Sequence, residues 1–228
     1  MLQGPDLAQD RDPTSSLREA RLLAQRAISM QEDWPDGHLI LGRVLGLAAR
    51  HSLTQQLAAG ADFAAARASL ARGLQRNPSD DEGYLLLASL VHEEGEWLAG
   101  QGRSPLPSLA TARQTLRTGL AKNPGRAALH RLLAEGALLE ARFRRTAAPI
   151  VDTALPALGE AIRRNPDDRR AHIALAEACL TLATAQRARG VSMDKWLARG
   201  RAATTRALAI HPADPVAQRL DAALRKLP

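Results

Sequence analysis

Tryptophan, tyrosine and phenylalanine together make up 3% of the chain, so any core has to be built from leucine, alanine, isoleucine and valine. Such small aliphatic cores suit closely packed helices, because alanine lets backbones approach and both alanine and leucine favour the helix. Strand signals are missing as well: no run of alternating Val, Ile, Thr and aromatic residues is long enough to form one. An all-α class follows. The single cysteine, Cys179, excludes a disulfide within the chain and removes any argument for an oxidising compartment. It lies in the apolar stretch from Ala176 to Leu182 and reads as a buried small hydrophobe. No uninterrupted apolar run approaches the ~20 residues of a membrane span. The segment from Met1 to Asp10 lacks the basic region and apolar core of a signal peptide. The expectation is a soluble cytoplasmic protein without membrane insertion.

Lysine is nearly absent too. Only Lys122, Lys195 and Lys226 stand among 31 basic residues, and the Ala, Arg, Leu and Gly bias points to a GC-rich bacterial genome. The net charge of +7 is compatible with nucleic acid or an acidic partner. Against a single-strand binder, no dense basic run is interleaved with aromatics. Catalytic constellations are also missing. His92-Glu93-Glu94 opens like a zinc-protease helix, but the residue four after His92 is Glu96 and not a second histidine, which leaves His92 as expected solvated surface. Glu93, Glu94 and Glu96 sit together, but no surrounding is identified that would raise a pKa for acid–base work, so no paired-carboxylate site is assigned. Arg142, Arg144 and Arg145, and the run Arg163, Arg164, Asp167, Asp168, Arg169 and Arg170, read as solvated helix ends. No cofactor, metal site or catalytic residue is assigned, and the chain is expected not to be an enzyme.

What is present is a repeat. Asn-Pro occurs at Asn77-Pro78, Asn123-Pro124 and Asn165-Pro166, with His211-Pro212 as a variant, and the prolines lie 46, 42 and 46 residues apart. Stepping back another 46 from Pro78 reaches Glu32, where a turn opens in the same place. Fifteen residues before these marks stand Leu17, Phe63, Leu109, Val151 and Leu197; twelve before, Ala20, Ala66, Ala112, Ala154 and Gly200. The slot eight before holds Ala24, Leu70, Leu116 and Leu158 and breaks only at Thr204. Five and four before stand Ala27-Ile28, Gly73-Leu74, Gly119-Leu120, Ala161-Ile162 and Ala207-Leu208. These spacings trace one helical face, which proline then ends. After each mark a second face appears: Leu41-Gly42, Leu87-Ala88, Leu133-Ala134 and Leu175-Ala176, each with His38, Tyr84, His130 or His172 three residues before the Leu. The last copy, Val216 to Leu227, fits if slipped by one residue to place Leu220 in the Leu slot. The pattern divides the chain into a half-repeat 1–32, repeats 33–78, 79–124, 125–166 and 167–212, and a capping helix 213–228, about ten helices in one domain.

The copy running from Tyr84 through Leu87-Ala88, Ala112, Leu116, Gly119 and Pro124 resembles a tetratricopeptide repeat slot by slot. It departs from that family in period, which is 34 residues there, and in placing His or aliphatic residues in most aromatic slots. The added residues fall between the two helices of each hairpin. They predict a first helix lengthened by two or three turns and a Pro-containing loop whose Ser or Asp caps the next helix, as in Asp12-Pro13-Thr14-Ser15-Ser16-Leu17 and Ser104-Pro105-Leu106-Pro107-Ser108-Leu109. Such long hairpins are similar to the C-terminal arrays of bacterial, myxobacterial-type Ser/Thr kinases. The kinase's own Gly-rich loop, His-Arg-Asp loop and Asp-Phe-Gly are not present. The resemblance implies a right-handed α-solenoid of antiparallel hairpins that binds proteins or peptides in a concave groove lined by first helices.

Carried over by alignment, one groove row is Leu39, Leu85, Arg131 and Ile173, and the other is Arg43, Ser89, Glu135 and Glu177. The asparagines of the family's carboxylate clamp are missing, so a peptide of mixed charge is the expected ligand. The histidines His38, His130 and His172 either fill the aromatic slot and bond locally, or form a metal-binding or pH-sensing row. The first helix of the opening hairpin is reduced to at most Pro5 to Asp10, which leaves an apolar face open to a docking partner or to a longer upstream array. The leading reading is an interaction scaffold, detached from or part of a signalling kinase. The alternatives are a basic helical repeat on nucleic acid, or a helical domain with an unrecognised small-molecule or enzymatic site.

Overall fold

The computed structural model describes residues 13–55 and 57–227, and every regular element among them is helical. The partial helix expected over Pro5 to Asp10 lies outside the described residues. The chain divides into two compact units between Pro78 and Ser79. The first contains α1 (Thr14–Met30), α2 (Pro35–Thr54) and α3 (Gly60–Arg76). The second contains α4 (Asp81–Gly100), α5 (Leu106–Lys122), α6 (Ala127–Arg144), a π-helical turn (Ile150–Ala154) leading into α7 (Leu155–Arg164), α8 (Arg169–Arg187), α9 (Asp194–Ile210) and α10 (Pro215–Lys226). The class is all-α, a helical repeat of antiparallel hairpins.

The repeated prolines sit in the tight turns 77–80, 123–126, 165–168 and 211–214. Asn77, Asn123, Asn165 and His211 make the last helical bond to the carbonyls of Gly73, Gly119, Ala161 and Ala207, then turn extended. Proline, which has no N–H and disfavours α geometry in the residue before it, stops the helix there. Two residues further on lies the side-chain cap. Asp80 Oδ1 accepts from the amides of Glu82 and Gly83 at 3.0 and 3.1 Å, Asp168 Oδ1 from Ala171 at 3.1 Å, and Asp214 Oδ1 from Val216 and Ala217 at 2.9 and 3.0 Å. Asp12, the cap expected for α1, lies outside the described residues. Ser104 Oγ and Ser192 Oγ accept from the first amides of α5 and α9, Leu106 and Asp194, but at a long 3.4 Å, and no N-cap side chain itself bonds on the second helices. Their N-cap residues Pro13, Ala59, Pro105 and Met193 already have right-handed helical geometry, whereas a capping side chain needs an extended backbone.

The second-helix stripe packs inward as its spacing demands. Phe63, Ala66 and Leu70 of α3, Leu109, Ala112 and Leu116 of α5, and Leu158 and Ala161 of α7 are all buried. Thr204, the break in that stripe, is fully buried and its hydroxyl donates to Asp221 Oδ1 at 2.9 Å, tying α9 to α10. Val151 does not follow the pattern: it is 49% exposed, and Ile150 at 1% takes the inward place. The cause is the π turn, whose Leu155 amide bonds five residues back to Ile150. The wider turn shifts register by one residue just ahead of Pro156, which can donate no helical bond of its own.

The last helix needs no slip. Asp214 caps it from the same slot as Asp168, Ala217 is buried where Ala171 is buried, and Gln218 occupies the histidine slot. Glycines permit the closest helix contacts: a Cβ on Gly42 would fall 2.5 Å from Leu70 Cγ, and one on Gly73 2.6 Å from Leu39 Cδ2. Among the described residues no helix is long and apolar enough to cross a membrane.

Candidate functional site

In the second unit one face of α4, α6, α8 and α10 lines a cavity of about 680 Å³. It is placed by helical periodicity. Ser89, His92, Glu93 and Glu96 come from α4; Arg131, Glu135, Leu138 and Arg142 from α6; Arg170, Ile173 and Glu177 from α8; Asp214 and Val216 close its end. The capping turns bring these helices to a common level, because the same aspartates that start helices also bind arginines of the preceding repeat.

The polar lining has two tiers. In the inner tier Arg131, with its side chain 14% exposed, donates from Nη1 to Glu135 Oε1 at 2.7 Å and from Nε to Asp168 Oδ2 at 3.1 Å. The same device recurs one repeat later, where Arg169 meets the cap Asp214 at 3.0 Å. The backbone amides of Ala217 and Val216, with Arg169 beside them, hold the Asp214 carboxyl below the usual carboxylate range. In the outer tier the pairs are longer: Arg142 to Glu177 at 3.5 Å, Arg170 to Glu135 at 3.6 Å and His92 to Glu96 at 3.6 Å. Arg142, Arg170 and Glu96 there are half or more exposed. The His92 contact is the main reason that the Glu96 carboxyl also lies below its ordinary value.

Of the predicted groove residues, Ser89, Arg131, Glu135, Ile173 and Glu177 line this cavity together. Leu85 is half-buried and packs on Ala88, Leu116, Leu129 and Leu132 instead. Leu39 and Arg43 belong to the first unit, where Leu39 is buried against Gly73 and Arg43 is exposed. Sequence reasoning missed His92, Glu96, Arg142, Arg170 and Asp214. The first four lie three or seven residues from a predicted groove residue, so extending each row along its helix would have found them. His92 was expected at the solvated surface and is 7% exposed, because its position on α4 faces α6 and lies 3.8 Å from where a Gly136 Cβ would be. Other charges of that stretch are likewise paired: Arg144 binds Glu140, Arg163 and Arg164 bind Glu160, and Asp167 receives Arg206.

The histidine ladder bonds locally. His38, His130 and His172 each donate from Nε2 to the carbonyl six residues earlier, of Glu32, Pro124 and Pro166, at 3.1, 2.9 and 2.9 Å. Gln218 does the same to Pro212 at 2.9 Å. A carbonyl only accepts, so each ring carries its proton on Nε2. Cys179 is buried away from the cavity, and burial pushes its thiol up to about 11. No three His, Cys, Asp or Glu side chains among the described residues are grouped to hold a metal ion. The arrangement offers paired charges of both signs over an apolar base of Leu132, Leu138, Ile173 and Ala174.

No protein-family model matches the chain, and no curated protein matches it in sequence. Solved structures do. TTC0263, a thermophilic TPR protein of Thermus thermophilus, superposes with a TM-score of 0.57 at 21% identity, covering 93% of this chain and 92% of its own. YrrB, a TPR protein with an unusual peptide-binding site, gives 0.52 at 13% identity over 90% of this chain and 84% of its own. The chain has the fold of the tetratricopeptide-repeat proteins.

Proposed function

We propose that this chain is a protein-interaction scaffold and that the cavity of its second unit receives a peptide segment carrying both signs of charge. The observation that carries this is the outer tier: Glu96, Arg142, Arg170 and Glu177 are held by contacts of 3.5–3.6 Å and are open enough to exchange them for a ligand's charges. Charge-assisted bonds of normal length are shorter, at ~2.7–2.9 Å. The inner tier around Arg131 is satisfied and serves to hold α6 and α8 in place. One structural neighbour is described by its peptide-binding site, which supports reading this cavity the same way. Selection of peptides from a random library on the full chain, followed by pull-down with an Arg142→Glu, Glu177→Arg double variant, tests the site. Loss of the selected peptides by that variant is expected. Undiminished recovery would remove the cavity from the binding surface.

The finer proposal is that this scaffold serves a bacterial Ser/Thr signalling kinase in the cytoplasm. Its support is the lengthened hairpin and its Pro-containing loop. Sequencing the reading frame upstream of Met1, and of the adjacent genes, would show a kinase domain; its absence in both places would sink the link.

A further inference from the structure

A second surface lies in the first unit. α1 and α3 flank α2 and leave a cleft of about 360 Å³ over it. Leu41 and Leu45 line its floor, Ala65 and Ala68 keep the α3 wall low, and Arg21 and Arg72 stand on the two walls. Both arginines are exposed, and among the described residues neither has an ion-pair partner. Among the described residues no carboxylate lines the cleft.

The second unit shows what this slot does when it is complete. Arg113 stands eleven residues before Pro124, as Arg21 stands eleven before Glu32. Arg113 Nη1 meets Glu140 Oε2 at 3.1 Å, and the void beside that pair is only about 10 Å³. Glu140 stands sixteen residues after Pro124, and the residue sixteen after Glu32 is Ala48. Ala48 continues the Leu41, Leu45 stripe at helical spacing. Arg21 therefore keeps the arginine of the pair and has lost its carboxylate, and the cleft beside it is open.

We infer that this cleft docks an acidic amphipathic helix of a partner protein, which lays leucine-type side chains on Leu41 and Leu45 and presents a carboxylate to Arg21 where Glu140 stands beside Arg113. Helix-in-groove binding of this kind reads anchors at i, i+3, i+4 and i+7. Two guanidiniums with no ion-pair partner and no acid beside them among the described residues select glutamate or aspartate at the flanks.

The test uses the full chain and a fluorescein-labelled helical peptide of about five turns, with Leu at those four spacings and Glu beside them. A second peptide carries Lys in place of every Glu. Saturable anisotropy is expected for the Glu peptide. Affinity should fall at least about tenfold for the Lys peptide, for Arg21→Glu with Arg72→Glu, and for Ala48→Glu, which supplies the missing carboxylate from within. Arg21, Arg72 and Ala68 are exposed, so circular dichroism should be unchanged in the arginine variant and in Ala68→Trp, which fills the cleft and should also block binding. Equal binding of both peptides, affinity within about twofold in the arginine variant, no saturable binding, or binding to phosphatidylglycerol vesicles in place of the peptide would each overturn the assignment. Loss of binding in the Arg142→Glu, Glu177→Arg variant instead would move the ligand to the other cavity and also overturn it.

Discussion

Asp168 joins two jobs in one carboxylate: it caps α8 through the Ala171 amide and receives Arg131 from α6. Asp168→Ala should cost about 1–2 kcal/mol, the range of a lost N-cap, while Asp168→Asn keeps the cap and loses only the ion pair. Urea denaturation of both variants separates the two contributions, and equal losses would mean that the charge and not the cap matters. Glycines make a second comparison at this scale. Gly42→Ala gains about 1 kcal/mol of helix propensity but drives a Cβ into Leu70, and the overlap should win, with a net loss of about 1–2 kcal/mol. Gly159 on α7 has nothing within 4 Å of its would-be Cβ, so Gly159→Ala should stabilise by about 0.5–1 kcal/mol. Opposite shifts in melting temperature are the expected readout. The repeat spacing alone does not tell these glycines apart, because their cost depends on which side chain arrives from the neighbouring helix.

At the scale of elements, the sequence places helices well and fails where register changes. The Asn-Pro marks, the small-residue slots and the Leu pairs each encode a local rule, so turns and buried stripes follow from spacing. Val151 is in the right slot by counting, and the π turn before Pro156 puts Ile150 there instead. Ile150→Ala should therefore cost about 2–4 kcal/mol and Val151→Ala less than about 0.5 kcal/mol. Thermal denaturation that ranks them the other way would show the counted register to be the true one. The capping signal was also in plain view: Asp stands two residues after Pro78, Pro166 and Pro212, whereas Ser and Asp at the other turns precede backbones that are already helical.

For the whole molecule, stability is spread unevenly. α1 buries only Ala24, and its Leu22, Leu23 and Met30 are 60–81% exposed, while α8 buries nine residues within a core it shares with α6, α7 and α9. Amide hydrogen exchange should be fastest in α1 and slowest in α8, since local opening follows the apolar contacts that must be broken. Equal protection of the two helices would contradict this. Acid should act through the paired carboxylates. Asp81, beside Arg126 and Asn123, is held low by their hydrogen bonds, and Asp214 and Glu96 are also lowered. A carboxylate with a depressed folded-state pKa contributes stability that is full above its unfolded value, ~4, and is lost as pH falls through its folded value. The melting temperature should be flat between about pH 7 and 5 and drop below about pH 4. A drop already complete by pH 5 would point to other groups.

Periodicity determined the all-α class, the turns and the buried stripes, because each of these is set by residues within a few turns of one another. Tertiary structure decided the rest. His92 became buried, and Arg142 and Arg170 joined Glu177 and Glu135, only once α4, α6 and α8 stood side by side. Arg21 reads like Arg113 in sequence, and what separates them is the carboxylate that α6 brings to one and α2 does not bring to the other. Charge pairing across helices depends on which side chains meet in space, and a spacing rule along the chain carries no information about that meeting.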